Sequence, residues 1–84
     1  MAAPHAHLLL QCDPGRSGDV AAWLTDLPAV QQAAVTDGAY DVVAVVDLTA
    51  GDLSHVLVQA RRAPGFAKVR VCLPAGEAVS ARRR

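Results

Sequence analysis

The stretch that decides the fold is Tyr40-Asp41-Val42-Val43-Ala44-Val45-Val46-Asp47-Leu48. Its apolar centre is almost entirely valine, the β-branched type that suits a pleated strand. Side chains alternate along a strand, so Val42, Ala44 and Val46 share one face while Val43 and Val45 share the other. Both faces are apolar, and the strand therefore belongs inside a sheet that is covered on both sides. Just upstream, Asp37-Gly38 is a hairpin signal. Val30–Thr36 reads as the partner strand, interrupted by Gln31 and Gln32.

Working outward, each side of this hairpin carries a helix and a further strand. His7–Cys12 is an apolar run stopped by Asp13-Pro14-Gly15. After Ser17, the residues Val20, Trp23, Leu24 and Leu27 follow the i, i+3, i+4, i+7 spacing of a helix face. Ser17 or Asp19 can cap that helix, and Pro28 stops it. Downstream, Ala50-Gly51 breaks the central strand, and Leu53, Val56, Leu57 and Ala60 repeat the helical spacing behind a cap at Asp52 or Thr49. Pro64-Gly65 ends this second helix, Phe66–Leu73 reads as the last strand, and Pro74 closes it. The two halves echo each other: Gly18-Asp19-Val20 matches Gly51-Asp52-Leu53, and Pro28-Ala29-Val30 matches Pro64-Gly65-Phe66. Two split β-α-β units side by side make an α+β, ferredoxin-like βαββαβ sandwich. Right-handed crossovers put both helices on one face of its antiparallel sheet. The domain spans 6–74, and 75–84 is expected to be a flexible, Arg-ended C-terminal tail.

Two helices cover one sheet face only, which leaves Val43 and Val45 on the other. An open apolar face on so small a domain is unstable in water. The expectation is a homo-oligomer, a dimer or higher, built across the sheets in the manner of a dimeric α/β barrel, with Val43 and Val45 at the interface. The bland alternative is that Ala44 and flanking polar residues leave that face only mildly apolar. The chain has 84 residues, 52% of them hydrophobic and 19% charged, which suits one folded domain rather than a disordered segment. Its basic and acidic residues cancel to a net charge of zero, so no direct DNA binding is expected. No apolar run is long enough to span a bilayer, and Met1–His5 lacks the pattern of an export leader. A cytoplasmic protein without membrane contact is expected.

Chemistry-bearing constellations are sparse. Cys12 lies near His5 and His7, but a small buried filler is the better reading of it than a nucleophile. His5 and His7 with only His55 elsewhere fall short of a zinc set, and no metal is expected. The Asp13–Gly18 loop carries neither phosphate-binding nor dinucleotide fingerprints, so no cofactor is expected and no catalytic residue is assigned. Cys12 should stand opposite the start of the last strand, near Lys68, with Cys72 roughly 13 Å further along. A disulfide needs Cα atoms within about 7 Å, so none is expected between them. Tyr40-Asp41 stands out: a carboxylate at the head of the most apolar strand either caps the turn or holds a ligand's ammonium group.

These residues also carry a resemblance. Val35-Thr36-Asp37-Gly38-Ala39-Tyr40-Asp41-Val42-Val43 is similar to the V-T-G-x-Y-D segment, followed by apolar residues, of the Lrp/AsnC family ligand-binding domain, the RAM domain. Leu27-Pro28-Ala29-Val30 is similar to the family's L-P-x-V, and Pro64-Gly65-Phe66 to its P-G-V/I opening of the last strand. Cys72 stands where short stand-alone members often carry a cysteine. The likeness runs from about His7 to Pro74. It implies a non-enzymatic effector-sensing and oligomerisation module in a stand-alone form without the helix-turn-helix, binding an amino acid or related small metabolite and modulating transcription regulators, through hetero-assembly with Lrp/AsnC-type regulators or a change of oligomeric state. The implied ligand site is Gly38, Ala39, Tyr40 and Asp41 at a junction between subunits. Where the family shows T-x-T, this chain has Val69 and Val71, which predicts a drier pocket. Lys68 and Arg70 are candidates for a ligand carboxylate. Alternatives with the same topology are a small dimeric α/β-barrel enzyme, an ACT domain, and a structural oligomer with no ligand.

Overall fold

The computed structural model describes residues 4–73. Its element order is β1 (His5–Cys12), α1 (Ser17–Thr25), β2 (Val30–Val35), β3 (Val42–Asp47), α2 (Leu53–Ala60) and β4 (Phe66–Cys72). The strands form one sheet in the order β2-β3-β1-β4, with every neighbouring pair antiparallel. This is the ferredoxin-like βαββαβ sandwich. Pro74, which closes the 6–74 domain, and the whole 75–84 tail lie outside the described residues.

Alternation along the central strands sorts the side chains as the sequence predicts. Ala6, Leu8 and Leu10 of β1 and Val42, Ala44 and Val46 of β3 are fully buried. They form one core with Val20 and Leu24 of α1 and Val56 and Ala60 of α2. The α2 face follows the i, i+3, i+4, i+7 pattern, and α1 follows it through Val20 and Leu24, with Trp23 and Leu57 half-buried at the margins and Leu27 beyond the helix end. Trp23 also joins the two helices, because its indole N–H donates to the Gln59 carbonyl at 2.8 Å.

Several boundaries differ from the sequence reading. β1 begins at His5 rather than His7, because His5 and Ala6 pair with Asp47 and Val46. α1 ends at Thr25, and Leu27 instead donates its N–H to the Leu24 carbonyl in a closing turn. Neither Ser17 nor Asp19 caps α1: Arg16 occupies the cap position without a side-chain bond, and Asp19 pairs with the Arg16 guanidinium at 2.8 Å. Asp52 does cap α2, accepting from the Ser54 N–H at 3.3 Å. β3 starts at Val42, so Tyr40 and Asp41 belong to the loop that feeds it. Gly65 has φ +92° and lies against the Arg16 side chain, where a Cβ has no room.

Candidate functional site

The β2–β3 loop is held by hydrogen bonds at both ends and on its flank. The Thr36 N–H donates to the Asp41 carbonyl at 2.8 Å, and the Asp41 N–H to the Leu10 carbonyl at 2.8 Å. The Thr36 hydroxyl donates to the Tyr40 carbonyl at 2.9 Å. From β1, the Gln11 amide donates to the Ala39 carbonyl at 3.0 Å. Gly38 takes φ +116°, a left-handed conformation that glycine adopts without a steric penalty. The loop is thus tied to β1 as well as to its own hairpin.

The Asp41 carboxylate does not cap the Asp37-Gly38 turn. Its Oδ2 accepts from the Cys12 N–H at 2.7 Å, across 29 positions of chain. The bond falls where the β1–β4 register shifts between Gln11 and Cys12, so the carboxylate satisfies a backbone donor beside that irregularity. Burial, then the nearby Asp41 and Asp13 charges, push the Cys12 thiol above its ordinary pKa, and a Ser17 hydrogen bond pulls the other way. A thiol held in its protonated form is a poor nucleophile. Cys12 packs half-buried against the core, in keeping with a filler.

The register assigns the remaining candidates to faces. Leu9 pairs with Val43 on one side and Arg70 on the other, and Gln11 pairs with Lys68. These residues occupy the sheet face opposite the helices. Val43 and Val45 lie on that same face, half-buried, beside Ala34 and Gln32 of β2. Val69 and Val71 pair instead with the fully buried Leu10 and Leu8, and both pack against the core. They sit on the helix side, so Lys68 and Arg70 present their side chains where the sequence reading set Val69 and Val71. A cleft of about 280 Å³ opens on the sheet face, lined by Leu9, Gln11, Tyr40, Lys68, Val69 and Arg70. Tyr40 thus reaches the cleft, whereas the Asp41 carboxylate is turned to Cys12. Leu9 and Gln11 were missed as cleft residues. Their alternate positions along β1 carried the signal, but only the pairing with β4 brings them beside the two cations.

Cys12 faces Phe66 rather than Lys68, displaced by the same register shift, and Cys72 faces His7. Both cysteines are free, at opposite ends of the β1–β4 ladder. Among the described residues no three His, Cys, Asp or Glu side chains gather where a metal could sit. A second cleft of about 120 Å³ lies between the Leu27–Ala29 turn and the start of α2, near His55. No helix among the described residues is long and apolar enough to cross a membrane.

The same sandwich recurs in solved structures. The chain is similar to TTHA0845 from Thermus thermophilus, with a TM-score of 0.77 and 21% identity over 92% of this chain and 99% of that one. It is similar to the hypothetical protein PHS023 from Pyrococcus horikoshii, with a TM-score of 0.68 and 24% identity over 88% and 92%. It is also similar to FFRP-DM1, with a TM-score of 0.67 and 24% identity over 84% and 97%. These likenesses define the class, a small ferredoxin-like α+β module matched over nearly its full length. No protein-family model matches the chain. No curated protein matches it in sequence.

Proposed function

We propose that this protein is a non-enzymatic effector-sensing and oligomerisation module of the Lrp/AsnC ligand-binding type. One observation carries the reading: Val43 and Val45 lie on the sheet face opposite the helices, next to a cleft that Tyr40 of the Gly38–Asp41 loop lines. A half-buried apolar stripe on a thin domain is stabilised by a second sheet laid over it. Such a pairing sets the cleft beside a subunit junction, where a bound metabolite can bias assembly. The fold shared with FFRP-DM1 and the Val35–Val43 segment support the same reading. The effector is an amino acid or related small metabolite. The output is a change of oligomeric state or joint assembly with regulators of that type, in the cytoplasm.

Sedimentation at low micromolar concentration tests the assembly. The wild type should sediment as a dimer or larger, and Val45→Asp should dissociate it by placing a charge in the interface. A folded monomer of 8.7 kDa would sink the reading. A thermal-shift screen of free metabolites tests the sensing. A ligand at a hundred times its dissociation constant should stabilise the fold by about 2.7 kcal/mol.

A further inference from the structure

The chemistry of the sheet-face cleft points to a narrower class of effector, an inference that rests on the sensing role above. We propose that the cleft selects a small organic dianion, such as a short dicarboxylate, over a zwitterionic amino acid.

Lys68 and Arg70 alternate with core-facing residues on β4, so both project from the open face and both line the cleft. Side chains two residues apart on one strand start about 7 Å from each other. That gap suits the two ends of a four-carbon diacid: the planar Arg70 guanidinium grips one carboxylate through paired N–H bonds, and the Lys68 ammonium meets the other. Tyr40 adds a hydroxyl that can donate to either end. Leu9 supplies an apolar floor under the methylenes.

The cleft offers an ammonium group much less. Among the described residues no carboxylate lines it, and neither Lys68 nor Arg70 takes part in an ion pair. Asp41, the acid adjacent to Tyr40, is committed to the Cys12 N–H at 2.7 Å. Redirecting it would strand that backbone donor. An α-ammonium placed here would meet two like charges and no counter-charge, and their repulsion disfavours it.

Calorimetric titration of the full chain at fixed ionic strength tests this, with succinate, L-leucine and L-lysine as probes and chloride held constant because exposed charges are screened by salt. Saturable succinate binding is expected, with both amino acids weaker by about tenfold or more. The Lys68→Gln/Arg70→Gln variant should lose at least about tenfold in succinate affinity, since each charge-assisted bond is worth more than a neutral one. Its unliganded melting temperature and sedimentation should match the wild type. L-leucine binding tighter than succinate, and unchanged in the double variant, would overturn the dianion while leaving the effector-sensing role standing. Absence of succinate binding would overturn the dianion, and the metabolite screen above then decides the sensing role on its own. Dissociation of the oligomer in the double variant would assign the two cations to a subunit contact and overturn the proposal as well.

Discussion

The Asp41 carboxylate accepts a 2.7 Å hydrogen bond from the backbone N–H of Cys12, joining the head of β3 to the tail of β1. The bond spans the point where β1 stops pairing regularly with β4, and it anchors the loop that carries Tyr40. A residue that the sequence leaves open between a turn cap and a ligand contact is in the structure a clamp on the sheet.

Asp41→Ala should therefore destabilise the fold, by about 1–3 kcal/mol for an unsatisfied backbone donor and toward the lower figure because the site is only half-buried. Asp41→Asn keeps a carbonyl acceptor and should lose less. Urea unfolding of the three proteins checks it. Equal stability of wild type and alanine variant would contradict the clamp.

Asp47 should titrate below an ordinary aspartate. The Thr49 hydroxyl donates to its Oδ1 at 2.6 Å and the Thr49 N–H at 2.8 Å, and both favour the ionised carboxylate. The nearby His5 adds a smaller effect in the same direction. A depressed native pKa means that the contribution to stability is present above the unfolded-state value near 3.8 and is lost as pH falls through the native value. Thr49→Val removes the hydroxyl, the larger cause. Carboxyl chemical shifts followed by NMR should show the Asp47 midpoint moving up in that variant.

The two thiols should differ in reactivity. Cys72 is exposed, whereas Cys12 is half-buried and its thiol is pushed up by burial and by neighbouring carboxylates. Timed alkylation with peptide mass analysis should label Cys72 first. An intramolecular disulfide should not form, because Cys72 stands opposite His7, five residues and about 17 Å along β1 from Cys12. Non-reducing mass analysis that found such a bond would refute this register.

Leu10→Ala should be among the most damaging single changes. Leu10 is fully buried where β1 meets Val42 and Val69, and truncation leaves a cavity costing about 2–5 kcal/mol. Leu73→Ala, at a residue 57% exposed, should cost little by comparison. Denaturant midpoints of the two variants make the contrast.

The order of elements, the two helix faces and the alternation of β3 are legible in the chain before any fold is known. Each of these is a local property, written in spacings of two to four residues such as Val42, Ala44, Val46 or Leu53, Val56, Leu57. The sequence also carried the turn at Asp37-Gly38 and the glycine requirement there. The tertiary structure alone decided the register. A shift of one residue exchanges every side chain between faces, and the irregularities at Gln11/Cys12 and at Val30/Gln32 are settled by packing between distant segments rather than by neighbours in the chain. That is why Lys68 and Arg70, not Val69 and Val71, present their side chains on the face where Tyr40 lies. It is also why the partner of Asp41 is a backbone N–H that lies 29 residues away. Periodicity names the face a residue shares with its neighbours, and only the pairing of strands names what that face meets.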